Sequence, residues 1–100
     1  MRVSKQLPYI NYIIEVLEDD GFECEMGHDS EYEFVYEGLP VKGVTVFTIT
    51  DGENTFDGFA LCSVKDKFNR VTGTKIAFKR AYDAMRTVYD REYMKEIFDV

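Results

Sequence analysis

Along residues 7–20, Ile10, Ile13, Ile14 and Leu17 recur at the three- and four-residue steps of one helical stripe. Pro8 suits a first turn and Gly21 a stop, so the spacing predicts a first helix over about 7–20. The period then shortens. In "EYEFVYE", Tyr32, Phe34 and Tyr36 alternate with Glu31, Glu33 and Glu37, the pattern of a half-buried strand with one acidic face. "VKGVTVFTIT" is rich in β-branched residues, and Asp51-Gly52 reads as the turn of a hairpin into "TFDGFALCSV". Residues 22–26 offer a further edge strand, and Asp57-Gly58 offers a bulge.

Beyond Val64 the helical period returns. Gly73, Ala77, Ala81, Ala84 or Met85, and Val88 fall on one stripe, small enough to approach a sheet closely, with Ala60 and Cys62 as the expected partners. Asp90 suits the cap of a last short helix reaching Phe98, with Tyr93, Met94, Ile97 and Phe98 turned back on the core. The expectation is one α+β domain spanning residues 1–100. Its antiparallel sheet of three or four strands is covered by helices on one face, in the order α-β-β-β-α-α.

Composition adds that this pattern can fold: 45% of the residues are apolar, with eight Phe and seven Tyr to bury. No apolar run approaches the roughly 18 residues needed to span a bilayer, and residues 1–7 lack the apolar core of a signal peptide. The expected setting is therefore a soluble protein in the cytoplasm, without a membrane partner. Cys24 and Cys62 form no C-x-x-C pair and are expected to be reduced thiols.

Charge divides the chain. Of a net −7, residues 1–60 hold 3 Lys/Arg against 13 Asp/Glu, whereas residues 61–100 hold 9 against 6. An acidic body repels nucleic acid, so direct nucleic-acid binding is not expected. Glu18, Asp19 and Asp20 crowd the last turn of the first helix, where carboxylates oppose the helix dipole at about 0.3–1 kcal/mol each. They are either a solvated end or a negative patch kept for a basic partner.

The chemistry of turnover is missing. His28 is the only histidine, so a metal site there would draw every other ligand from carboxylates. Asp29 and Ser30 beside it cannot form a triad by adjacency. "DGENTFD" lacks the twelve-residue calcium-loop pattern. No catalytic residue, metal or cofactor is assigned, and the chain is not expected to be an enzyme.

The stretch 63–81, "SVKDKFNRVTGTKIAFKRA", gathers Lys65, Lys67, Arg70, Lys75, Lys79 and Arg80. Ser63 or Asp66 would cap a helix starting near Lys67, or Thr72 one starting at Gly73, leaving free N–H groups among cations. That combination favours phosphate, although a solvated helix face balancing the acidic sheet is the plainer reading. Within this stretch, Asp66-x-Phe68-x-Arg70-x-x-Gly73-x-x-x-Ala77-x-x-Arg80-Ala81, preceded by "ALCSV", resembles a segment of small bacteriophage proteins. Some of those are similar to the sponge proteins that counter Thoeris immunity by sequestering a cyclic nucleotide signal. The likeness covers about 20 residues and has Thr74 where a basic residue usually follows the glycine. It implies a phage-borne accessory protein acting in the cytoplasm of a bacterial host cell.

Two functions follow from the two charge signs. In one, an acidic face formed by Glu18, Asp19, Asp20, Glu31, Glu33 and Glu37 imitates a nucleic-acid backbone. It occupies the basic groove of a host defence protein, as some anti-CRISPR proteins do, inhibiting by stoichiometric binding. In the other, Arg70, Lys75 and Arg80, with Phe68 as a stacking surface, sequester a nucleotide-like anion. A structural or regulatory phage protein with neither site is the third reading.

Overall fold

A computed structural model describes residues 1–30 and 33–89. Helix α1 (Pro8–Asp19) is followed by strands β1 (Glu23–Asp29), β2 (Phe34–Tyr36), β3 (Leu39–Thr50) and β4 (Thr55–Ser63), and then by helix α2 (Arg70–Val88). Among the described residues the order is thus α-β-β-β-β-α, an α+β fold with a wholly antiparallel sheet. The optional edge strand of the sequence reading is a full strand, β1. Glu31, Tyr32 and the expected helix from Asp90 to Phe98 lie outside the described residues.

Strand β3 is the spine. β4 pairs along one of its edges, while β1 (Glu23↔Thr50 to Asp29↔Val44) and β2 (Phe34↔Val41 to Tyr36↔Leu39) follow one another along the other. The hairpin at Asp51-Gly52 forms as expected. Gly52 takes the left-handed φ of 95°, and Asp51 Oδ1 accepts from the backbone N–H groups of Glu53 and Asn54 at 2.8 and 2.7 Å.

Both helices pack on one face. α1 buries Ile10, Ile13, Ile14 and Leu17, the stripe its spacing predicts. α2 buries Thr74, Ala77, Phe78, Ala81 and Met85 against Phe47, Ile49 and Phe56 of the sheet. Its small residues do allow close approach, but the tightest point is Gly58, two residues before the expected Ala60. A Cβ at Gly58 would fall on the carbonyl oxygen of Ala77 and 2.5 Å from the N of Ala81. Val88 is exposed, since the stripe has rotated off the sheet by the last turn.

Three local expectations are corrected. Helix α2 is capped by none of Ser63, Asp66 or Thr72. Asn69 is the cap, its Oδ1 accepting from Thr72 N at 3.0 Å, so the helix begins at Arg70. The register runs unbroken through Thr48↔Asp57 and Phe47↔Gly58, and the bulge lies instead on β3 between Val41 and Gly43. Strand β2 is three residues long with Phe34, Val35 and Tyr36 all exposed, rather than a half-buried strand.

The last two corrections share one cause. Before the bulge Val41 pairs with Ser63, and after it Gly43 pairs with Cys62. The extra residue changes which face an odd-numbered side chain of β3 meets. Gly43, Thr45, Phe47 and Ile49 look toward the helices, whereas Val41, and with it Phe34, joins the opposite face. Val41 is buried there, outside the core cluster beneath the helices.

Candidate functional site: the open face of the sheet

No helix among the described residues covers the outer face, so its side chains can be read row by row from the register. At the hairpin end the rows are Glu23, Thr50, Thr55 and then Glu25, Thr48, Asp57, with Thr48 Oγ1 donating to Asp57 Oδ1 at 2.7 Å. The next rows are Gly27, Val46, Phe59 and Asp29, Val44, Leu61. Polar thus gives way to apolar along the face.

The bulge then brings β2 to the same surface. Phe34, Tyr36, Val44, Phe59 and Leu61 line one cleft of about 500 Å³ with Asp57, Gly58 and Arg80 at its border. Its walls are open: Phe34 is 40%, Tyr36 51%, Phe59 49% and Leu61 38% exposed. Single exposed apolar residues mean little, but a contiguous group bordered by charge marks an interaction surface. Gly27 deepens the neighbouring ground, because a Cβ there would meet nothing within 4 Å.

The carboxylates flank this surface on the β1 side. Glu23, Glu25 and Asp29 project from β1 onto the outer face, at alternate positions of a strand whose other side chains, Cys24, Met26 and His28, face inward. They were missed as site residues, although the alternation of "ECEM" carries the signal. Of the six acidic residues singled out from sequence, the five that are described fall into two groups. Glu18, Asp19 and Asp20 end α1 beside the start of β1, and Glu18 accepts from the N-terminal ammonium at 3.0 Å. Glu33 and Glu37 border β2, with the length of β3 between the two groups. Glu31 lies outside the described residues.

The basic set is dispersed as well. Steps of five residues on a helix turn the side chain by roughly 140°, so Arg70, Lys75 and Arg80 leave α2 in three directions. Arg80 reaches the sheet edge, its Nη1 donating to the carbonyl of Phe59 at 2.6 Å. Lys75 lines a groove shared with α1. Phe68, before the helix, packs on Gly43 and meets the His28 ring edge-on at 6.0 Å. His28 Nδ1 lies 2.8 Å from the hydroxyl of the fully buried Thr45. Burial, with Arg70 nearby, lowers its pKa below the ordinary value. That places the one histidine in a structural contact between β1, β3 and the start of α2.

Compared with protein-family models, curated proteins and solved structures, the chain matches none. Function is therefore argued from the residues. Among the described residues no three His, Cys, Asp or Glu side chains gather as metal ligands. Cys24 and Cys62 are free thiols, and burial with the nearby Glu18 charge pushes Cys24 up to about 11, away from the reactive thiolate. No helix among the described residues is long and apolar enough to cross a membrane.

Proposed function

We propose that this chain acts by stoichiometric binding rather than turnover, presenting the open face of its sheet to a basic protein. The observation that carries the reading is the apolar cleft of Phe34, Tyr36, Val44, Phe59 and Leu61, flanked by Glu23, Glu25 and Asp29 on a face that no described helix covers. A partner complementary to it supplies a bulky apolar side chain for the cleft and Lys or Arg for the carboxylates. The first provides most of the binding energy, and the second sets orientation and encounter rate. In its specific form the proposal is a phage counter-defence protein that occupies a basic groove of a host defence protein. Nucleotide sequestration by Phe68, Arg70, Lys75 and Arg80 has less support, because Phe68, Lys75 and Arg80 line three different clefts among the described residues.

The test is capture from a bacterial lysate by the tagged protein, with proteins and small molecules in the eluate both identified. The expected result is a basic protein in fixed molar ratio, captured more slowly as salt rises and absent when Phe59→Lys and Leu61→Lys are combined. Equal capture by that double variant, once circular dichroism has shown that it folds, overturns the reading. So does a bound nucleotide lost on Arg70→Ala with Arg80→Ala.

A further inference from the structure

On the helical side of the molecule, α1 and α2 enclose a groove of about 480 Å³, within the size range of small-molecule sites. Its floor is apolar: Ile10, Ile13 and Phe78 are buried, and Leu7 and Tyr82 pack beside them. Its rim is cationic. Lys75, Lys79 and Arg86 line it at helical spacing, against the single carboxylate of Asp83, which lies 3.6 Å from Lys79 Nζ. In a chain of net charge −7 this is a local reversal of sign, and Lys75 makes no ion pair among the described residues.

A further donor set opens on the same groove. Gln6, Leu7, Pro8 and Tyr9, the entry to α1, are part of its lining. The cap position is Leu7, which offers no side-chain acceptor, and no acidic residue occupies the first turn. The backbone N–H groups of Tyr9 and Ile10 consequently lack the capping partner that Ser, Thr, Asp or Asn would give. The positive end of the helix dipole adds to the three cations.

From these observations together we propose that the α1–α2 groove binds a small amphiphilic carboxylate. Its alkyl chain lies on Leu7, Ile10, Ile13 and Phe78, and its head is held at the cationic rim, which Lys75, Lys79 and Arg86 line over about 16 Å of α2. An alkyl body fits better than a flat base. Phe78 stacks on Tyr82 with centroids 5.7 Å apart, and Arg86 lies 5.9 Å over the same Tyr82 ring, so that ring is already engaged by its neighbours one turn before and after. The remaining floor is largely aliphatic. Tyr9, 73% exposed, stands at the rim as a side wall. This site is independent of the open sheet face and of any protein partner there.

The experiment is a titration of the full-length protein with decanoate below its micellar concentration, followed by amide chemical shifts and calorimetry. Saturable shifts at Leu7, Tyr9, Ile10, Lys75 and Lys79 are expected. Decanol and acetate, which each lack half of the recognised chemistry, should bind at least tenfold more weakly. Lys75→Glu with Arg86→Glu should weaken decanoate at least tenfold, Lys75→Gln alone should weaken it less, and Lys65→Glu, remote from the groove, should leave it unchanged. Shifts confined to another surface, equal binding of decanol, tighter binding of adenosine monophosphate, or full affinity in the double Glu variant would each overturn the proposal.

Discussion

Replacing Gly58 by alanine tests the central packing contact of the fold. Alanine is ordinarily the better strand residue, by roughly 0.5–1 kcal/mol of backbone entropy. At Gly58 the new methyl would lie 2.5 Å from Ala81 N and 3.0 Å from the Ala77 carbonyl carbon, and both neighbours are backbone that cannot rotate away. To restore an ordinary 3.4 Å contact with Ala81 N alone, α2 must retreat by about 0.9 Å, and the Ala77 carbonyl oxygen, which lies nearer still, requires more. A gap of 0.5–1 Å forfeits roughly a quarter to a half of the dispersion energy of each facing contact. Ala77, Ala81 and Met85, all fully buried, face that gap. Overpacking of this kind costs about 1–3 kcal/mol, and the rigid backbone on both sides puts Gly58→Ala at the upper end, near 2–3 kcal/mol net. For a domain of this length 2 kcal/mol lowers Tm by about 10 °C. The assay is urea and thermal unfolding followed by circular dichroism, with Gly27→Ala as the control, since a methyl there meets nothing within 4 Å. The control should be neutral or slightly stabilising. An unchanged or raised midpoint for Gly58→Ala would show that α2 does not rest on β4 as described.

His28 and Asp51 give pH-dependent tests of opposite ends of the sheet. The folded-state pKa of His28 is lowered by burial and by Arg70, so the unfolded chain binds its proton more readily; stability is full above the ordinary 6.5 and declines as pH falls below it. His28→Gln should flatten the Tm profile between about pH 7 and 5, and a profile identical to the wild type would refute the assignment. Asp51 is held below its ordinary 3.8 by hydrogen bonds from the N–H of Asn54, the hydroxyl of Tyr89 and the N–H of Glu53, so its contribution is present above 3.8 and lost as pH falls. The same contact, Asp51 accepting from Tyr89, raises Tyr89 to about 12. Asp51→Asn should therefore lower Tm at pH 7, with a difference that is full above 3.8 and narrows steadily as pH falls below it; a difference that stays constant down to strongly acid pH would contradict the hydrogen-bonded carboxylate.

Much of this arrangement is written in local pattern. The stripe of Ile10, Ile13, Ile14 and Leu17 and the Asp51-Gly52 turn are short-range signals, and each forms where its spacing places it. The open face was harder to read, because it depends on a one-residue change of register between Val41 and Gly43, and the single local sign of it is Gly43 within an otherwise β-branched run. Without the bulge, Phe34 and Tyr36 read as core-facing; with it they line the outer cleft. β3 is apolar on both faces in its middle, so alternation alone does not say which side the helices cover. The basic stretch misleads for the converse reason. Residues adjacent in sequence look like one site, but a helix sends Arg70, Lys75 and Arg80 to three sides, a consequence of their five-residue spacing that the sequence already contained. The acidic set fails as one patch because it is drawn from both ends of β3, whereas Glu23, Glu25 and Asp29, regularly spaced on β1, share the face.

The open sheet face as the binding surface is tested most directly by site-specific photocrosslinking in bacterial cells. A benzophenone side chain is placed in turn at Phe59, on the outer face, and at Tyr12, exposed on the helical side. Crosslinking from position 59 to one basic protein, competed by excess unlabelled wild-type chain and absent from position 12, is the predicted result. Crosslinks from position 12 alone, or from position 59 only to a second copy of this chain, would contradict it.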